Sequence, residues 1–452
     1  MVGVLTNHYA LLMAGEDTSH SGSNKNCLYP DAIKSPLCIQ TKSNFPGSIF
    51  IHEIPDCLKY DIIITGGGMA GLSLAYYLNR SALRDKKILI IDREKKTRND
   101  RTWAFWQEGE SAFESILYRK WNSIWFHGSN GFSRKLTLGK HQYKLLRGID
   151  FYQFIHHELA TNPAIEFLYS PIQSILSDNQ EAIVQTEAGE YRASWCFDST
   201  HVLQAMKPLP ASGFVYQNLL QHFKGWVIRT NQPAFDPQVP IMMDFRIDQQ
   251  NECRFIYVMP FSETEALIEF TLFTPALLSK KEYDKGLKSY IQEFTSIQHY
   301  EILEEEFGII PMSDEPAQEQ AAPRVIRVGT AGGYTRASTG YTFTRTQKRL
   351  QQLVHNLERS FDVSPVTHKA IPALNYFYDQ VFLNVFLKKR VSTAAIFTGL
   401  FQKNPAPRIF RFLDEESSLV EDLKVIVSVP ILPFTKAAID IFKRNIQEFR
   451  QG

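Results

Sequence analysis

The chain of 452 residues holds only five cysteines, an odd number. None form a Cys-x-x-Cys pair. A disulfide scaffold is excluded, and neither a zinc ribbon nor a thioredoxin-like site is signalled. Such usage fits a reducing compartment, so a cytoplasmic location is expected. Charge of either sign is also lacking in excess: Lys+Arg is 49 and Asp+Glu is 48, for a net +1. A protein built to hold nucleic acid needs a basic surplus that is missing here. No stretch reaches the roughly 18 apolar residues that span a bilayer. Val391–Gln402 falls short, and Val425–Thr435 contains Pro430 and Pro433. Met1–Gly15 has no Lys, Arg, Asp or Glu, so a signal peptide with its basic n-region is not expected.

What is present is globular. Apolar residues make up 44% and aromatics 13%, with 32 Phe and 19 Tyr, which suits a large core or an apolar cavity. Residues 1–57 read as a poorly ordered N-terminal extension, since Glu16–Asn26 is polar, turn-rich and aperiodic. Tyr60–Thr65 is an apolar run of the kind buried on both faces in a parallel sheet. A glycine turn, a helix from Leu72 to Asn79 and a second buried strand, Lys87–Ile91, complete one βαβ unit. Asp150 and Gln153 have capping-box spacing for a helix to Ala160. A hairpin is expected over Ala182–Thr186 and Glu190–Phe197. Gly225–Thr230, Ile241–Arg246, Arg254–Met259 and Ala266–Phe273 alternate with turns, as in an antiparallel sheet. Arg324–Val328 is a further buried strand, a helix follows over Thr344–Ser360, and the remainder reads as helical.

The fold class expected is α/β: a Rossmann-like nucleotide-binding domain with an inserted antiparallel sheet and a helical C-terminal region. Its segments are residues 58–204 and 321–360 for nucleotide binding, 205–320 for the substrate sheet, and 361–452 for the helices.

Gly66, Gly68 and Gly71 fit G-x-G-x-x-G. The first permits a tight turn, the second lets a pyrophosphate approach the backbone, and the third lets the helix pack closely on the sheet. Asp92 follows Gly71 by 21 residues, where an acid can bind ribose hydroxyls. The fingerprint alone leaves NAD and FAD open. A second glycine turn, Gly329–Gly333, precedes Thr339-Gly340-Tyr341 and a helix; two distant glycine turns suit a flavin. Asp198, ending the strand Trp195–Phe197, is a third candidate contact. In extended strands side chains alternate, so Leu267, Glu269 and Thr271 share a face, as do Met242, Asp244 and Arg246. On the residues alone a solvated face accounts for Glu269.

Five segments, in order, resemble the lycopene cyclase family of bacterial type: Asn99–Trp106 (NDRTWAFW), Pro240–Arg246 (PIMMDFR), Leu267–Thr271 (LIEFT), the turn Gly308–Pro311 (GIIP) and Gly332–Phe343 (GGYTRASTGYTF). The likeness runs from about Tyr60 to Phe442. Phe270 and Thr330 depart from it, replacing acids that some relatives carry. The resemblance implies an FAD enzyme that uses NAD(P)H only to keep the flavin reduced. Its substrate would be lycopene or a related linear carotene, whose ends close to β-ionone rings without net redox change. Glu269 would be the catalytic carboxyl, with Asp244 and Arg246 either positioning it or forming a salt bridge. Arg101 would approach the flavin, and the Thr339–Tyr341 backbone would present N–H groups to its ring. Trp103, Phe105 and Trp106 would line a polyene tunnel or fill plain core. Tyr376–Arg390, ending in Lys388-Lys389-Arg390, would face the core or contact a membrane surface peripherally; a bilayer-dissolved substrate favours the membrane. An FAD-dependent monooxygenase or reductase of the same fold is the alternative.

Overall fold

The computed structural model describes residues 59–200, 216–361 and 373–451; the expected extension over 1–57 lies outside them. Strand β1 (Lys59–Thr65), helix α1 (Met69–Asn79) and β2 (Ile88–Asp92) form the βαβ unit. Then come β3 (Thr102–Glu108), β4 (Arg119–Trp121), β5 (Ser123–His127), β6 (Ser133–Thr137) and β7 (His141–Arg147). Helix α2 (Gly148–Leu159) and strands β8 (Ile165–Tyr169), β9 (Ile172–Ser177), β10 (Ala182–Thr186) and β11 (Gly189–Asp198) follow. The second half starts with β12 (Asn218–Thr230), β13 (Ile241–Asp244), β14 (Cys253–Pro260), β15 (Glu265–Thr274), α3 (Lys280–Phe294) and β16 (Tyr300–Ser313). It ends with β17 (Gln320–Ala322), β18 (Val325–Arg327), α4 (Phe343–Arg359), α5 (Ala373–Leu387), α6 (Thr393–Lys403), α7 (Ala406–Leu413), α8 (Leu419–Ile426) and α9 (Ile431–Gln451).

The strands make three sheets. In the first, β18-β11-β1-β2-β8 run parallel, with β17 antiparallel at the edge. Ile62, Ile63 and Ile64 have no exposure, as a strand covered on both faces requires. The second sheet has the order β16-β12-β15-β14-β13-β5-β6. It includes the hairpin β5–β6, which in sequence lies inside the first nucleotide-binding segment. The third, β3-β7-β4, is a small antiparallel sheet.

The seven-stranded sheet separates two environments. On one face Ile268, Phe270 and Leu272 pack against Tyr283, Leu287, Tyr290 and Ile291 of α3. That helix starts at Ser279, whose side chain and that of Glu282 form a capping box. Each of its four buried side chains is worth about 1.5–3 kcal/mol. On the other face Leu267 and Phe273 join a core completed by α5, α6 and α7, including Val385, Phe397 and Phe410.

Three local expectations change. Helix α2 begins at Gly148, and Asp150 binds the Arg147 guanidinium at 2.7 and 2.8 Å instead of capping; the chain enters the helix directly from β7. Gly308–Pro311 is no turn: it lies inside β16, paired with β12. Helix α5 is largely buried, and Lys388 and Arg390 pair with Asp440 of α9. The exposed apolar surface lies instead on α8 and α9, where Leu419, Leu423, Ile431 and Leu432 are 62–68% exposed.

Candidate active site

A cavity of about 480 Å³ lies where the three sheets meet. One end is the glycine cradle. Gly66 adopts φ +98°, a conformation that favours glycine, as β1 turns into α1. Gly68 precedes α1, no side chain caps that helix, and a Cβ built on Gly68 would project into open space. Asp92 closes the turn by accepting the Gly67 N–H at 2.6 Å. Gly68, Arg101, Gly329 and Gly340 line the cavity; Asp92 is not among the lining residues.

Other expected contacts lie elsewhere. Asp198 is buried beneath the cradle, where its Oδ1 accepts from Thr65 Oγ1 at 2.9 Å and from Thr200 at 2.8 and 2.6 Å. It ties β1 to β11 and is not among the residues lining the cavity; its neighbour Ser199 is. Gly333 closes the turn that begins at Gly329, with φ +74°, and packs on Ala317. The Thr339 and Gly340 N–H groups both donate to the Arg336 carbonyl, at 3.4 and 2.9 Å, and so are used within the turn.

Aromatic side chains line much of the cavity. Phe105 stacks on Phe343 at 4.3 Å, and Trp106 stacks on Phe410 at 4.5 Å. Trp106 also meets Tyr341 edge-on and donates its Nε1 to Asp414 Oδ2 at 2.8 Å. Burial raises the Asp414 carboxyl to about 6. Trp103 lines the same wall.

Glu269 faces into this cavity from β15, among Tyr143, Tyr257 and Leu267. It is 9% exposed. Among the described residues no Lys or Arg is paired with it; its Oε1 accepts from Thr271 Oγ1 at 2.7 Å. Desolvation pushes this carboxyl up to about 7, against hydrogen bonds from Thr271 and Glu306 that lower it.

Asp244 and Arg246 are not brought to Glu269. The register slips between Ile241 and Asp244, so β13 does not alternate regularly: Met242 joins the cavity-side core while Asp244 turns to α3. There Asp244, fully buried, accepts from Tyr290 Oη at 2.9 Å and from Arg246 Nε at 2.8 Å.

Glu306, which the sequence reading did not single out, lies beside Glu269. Across the sheet Glu269 pairs with Gly225 of β12, and Gly225 pairs with Glu306 of β16. Directly paired residues project to the same face, and Gly225 has no side chain to separate the two acids. The run Glu304-Glu305-Glu306 hid the one buried acid among exposed neighbours.

The family profile described as lycopene cyclase protein matches residues 61–439. The chain belongs to the lycopene cyclase family. It is 25% identical to a lycopene beta-cyclase from Pseudescherichia vulneris, over 62% of this chain and 70% of that one. A lycopene beta-cyclase from a Paracoccus strain is 22% identical over 84% and 96%. Among solved structures, a flavoprotein/dehydrogenase from Cytophaga hutchinsonii superposes with a TM-score of 0.54, covering 86% of this chain and all of that one at 14% identity. The α/β fold of this cyclase-family enzyme is thus shared with flavoproteins. Its cradle fits such a cofactor: open space at Gly68, an uncapped helix N-terminus, and Gln221 Oε1 on the cavity wall without a hydrogen-bond partner.

Proposed function

We propose that the protein is a lycopene beta-cyclase, closing the linear ends of lycopene or a related carotene to β-ionone rings. The observation that carries this reading is Glu269: a carboxyl beside Tyr143, Tyr257 and Leu267 on the cavity wall, with no Lys or Arg paired with it among the described residues. A carboxyl at the ordinary value of about 4.3 is ionised at neutral pH and cannot protonate an alkene. Desolvation keeps Glu269 protonated, as it does for other carboxylic acids that act near pH 7.

FAD would lie on Gly68 and the α1 N-terminus, with Arg101, Gly329 and Gly340 beside it and Asp92 at the ribose. When bound and reduced, it supplies negative charge that favours a developing cation, and NAD(P)H serves only to keep it reduced. Glu269 gives its proton to the terminal double bond. The aromatic wall of Trp103, Phe105 and Trp106 excludes water and faces the cation with ring electrons while the six-membered ring closes. Loss of a ring proton completes a reaction without net redox change.

The test is Glu269→Gln, assayed in a lycopene-accumulating host and with purified protein. It should keep fold and flavin reduction and lose ring formation. Substantial ring formation by this variant would sink the assignment. A monooxygenase or reductase of the same fold would consume one NADPH per turnover; the cyclase reading requires far less than one per ring.

The reading extends to peripheral membrane association. Among the described residues no single helix is long and apolar enough to cross a bilayer, but α8 and residues 431–447 of α9 form an apolar pair bent by 116°. The helix before them, α7, ends at Leu413 and Asp414 on the cavity wall. Replacing Leu423 and Ile431 together by Glu should lower liposome binding at least roughly 100-fold, from burial of about 1.5–3 kcal/mol per side chain. Unchanged flotation would refute the contact.

A further inference from the structure

Glu306 is a buried acid beside the cavity that the mechanism above does not use. It is 6% exposed, and Thr102 of β3 donates to its Oε2 at 2.8 Å. Its Oε1 is buried with no hydrogen-bond partner as a carboxylate. That same oxygen lies toward Gly225: a Cβ built there would be 3.1 Å from Glu306 Oε1 and 2.9 Å from its Cγ. On the far side of Gly225, projecting to the same face, is Glu269. Two acceptor-only carboxylates cannot bond to each other, so a bond between this pair requires a proton on one of them.

We propose that Glu306 is a positioning residue: a neutral carboxylic acid whose O–H donates across Gly225 to Glu269, orienting it and stabilising the carboxylate left when its proton is given away. This rests on the reading of Glu269 as the acid.

The two groups are asymmetric. Glu306 has Thr102 on Oε2 and leaves only Oε1 for Glu269, and it is not among the residues lining the cavity. Glu269 has Thr271 on Oε1 and faces the cavity. Burial, and then the charge of Glu269, hold the Glu306 carboxyl well above the carboxylate range, so the inner group is the one that stays protonated. In the transfer itself the Glu269 O–H bond breaks, a C–H bond forms on the terminal alkene carbon, and the electron pair stays on Glu269. Glu306 keeps its own proton throughout and turns from partner of an acid into donor to an anion, a hydrogen bond that strengthens as charge develops. Burial alone would make Glu269 protonated but weak as an acid; the O–H from Glu306 offsets part of that weakness where it matters, after the proton has left.

This predicts opposite behaviour for two variants of similar size. Glu306→Gln retains a neutral N–H donor and should close rings within a few-fold of wild type, with an unchanged pH profile. Glu306→Leu removes the donor. Its rate should fall roughly 10- to 100-fold, the worth of a hydrogen bond to a charged group. Its alkaline limb should move to higher pH, because an interaction that lowers the Glu269 value is gone. If Glu306 were an ionised base, both variants would lose a negative charge beside Glu269 and both limbs would move to lower pH; that result overturns the proposal, as does no change in either variant. A second measurement needs no turnover. Infrared spectra of the purified flavin-loaded protein near pH 6 should show two protonated buried carboxyl bands from this pair. Glu306→Gln, which keeps the fold if Leu does not, should remove one and shift the other. Absence of a Glu306 band refutes the neutral donor even if the protein closes no ring, whereas two bands without lycopene cyclisation would fault the cyclase reading alone.

Discussion

Asp244 and Glu269 sit in the same seven-stranded sheet, both nearly free of solvent, on opposite faces. Asp244 has Arg246 and Tyr290 as partners. Glu269 has Thr271, Glu306 and an apolar wall. The first arrangement pairs a buried charge with a cation, as structural acids require; the second leaves a carboxyl that burial drives toward its neutral form. The difference lies in which face of the sheet each acid occupies and what the covering element offers. Helix α3 offers a phenol; the other face offers rings and, beside the cavity, a second acid.

Moving a cation to the other face should erase the distinction. Tyr257 of β14 pairs directly with Glu269. Tyr257→Lys would set an ammonium beside the carboxyl and lower its value by about 1–3 units. Ring closure at neutral pH should fall roughly 10- to 100-fold, with flavin content retained. A variant as active as wild type in a steady-state pigment assay would show that Glu269 need not be neutral.

Removing the acid from the structural face should cost stability and little chemistry. Asp244→Ala leaves the Tyr290 hydroxyl and the Arg246 guanidinium without their carboxylate. With Arg246 side chain 35% exposed, water recovers part of the loss, and about 1–3 kcal/mol is expected. Denaturant unfolding measures this, and activity per folded molecule should stay near wild type. A stable protein with abolished ring closure would place Asp244 in the reaction after all.

Much of this contrast is absent from the one-dimensional pattern, and the reasons are local. β1, α1 and β2 were legible because a strand buried on both faces is a continuous apolar run and the glycine turn has a fixed chemistry. The strands 254–259 and 266–273 were legible to within a residue at each end as runs between turn-rich segments, and alternation put Glu269 on the face of Leu267. The same rule failed at Met242 and Asp244, because the slip in β13 reverses which face each residue meets. β16 went unread since its acidic first half looks like a solvated segment. Glu306 could have been found only through the pairing of β16 with β12, which brings residues 37 apart in sequence, Glu269 and Glu306, to either side of Gly225. Asp198 and Gly333 had the right types at the right ends of strands and turns, but their bonds point into the scaffold. At the C-terminus, helical periodicity marked α5 as amphipathic without saying that α9 would cover it, leaving the exposed apolar residues on α8 and α9.

Glu269 is proposed to act as an acid in its protonated form. The pH dependence of ring closure, measured with flavin kept fully reduced by excess chemical reductant, tests it most directly. A group raised by burial is protonated below its folded value and loses its proton as pH rises through it. Ring closure should therefore hold steady on the acid side and decline as pH rises through about 7, with Glu269→Gln inactive throughout. A rate that climbs with pH across this range, or stays flat well beyond it, would contradict a neutral Glu269 as the proton donor.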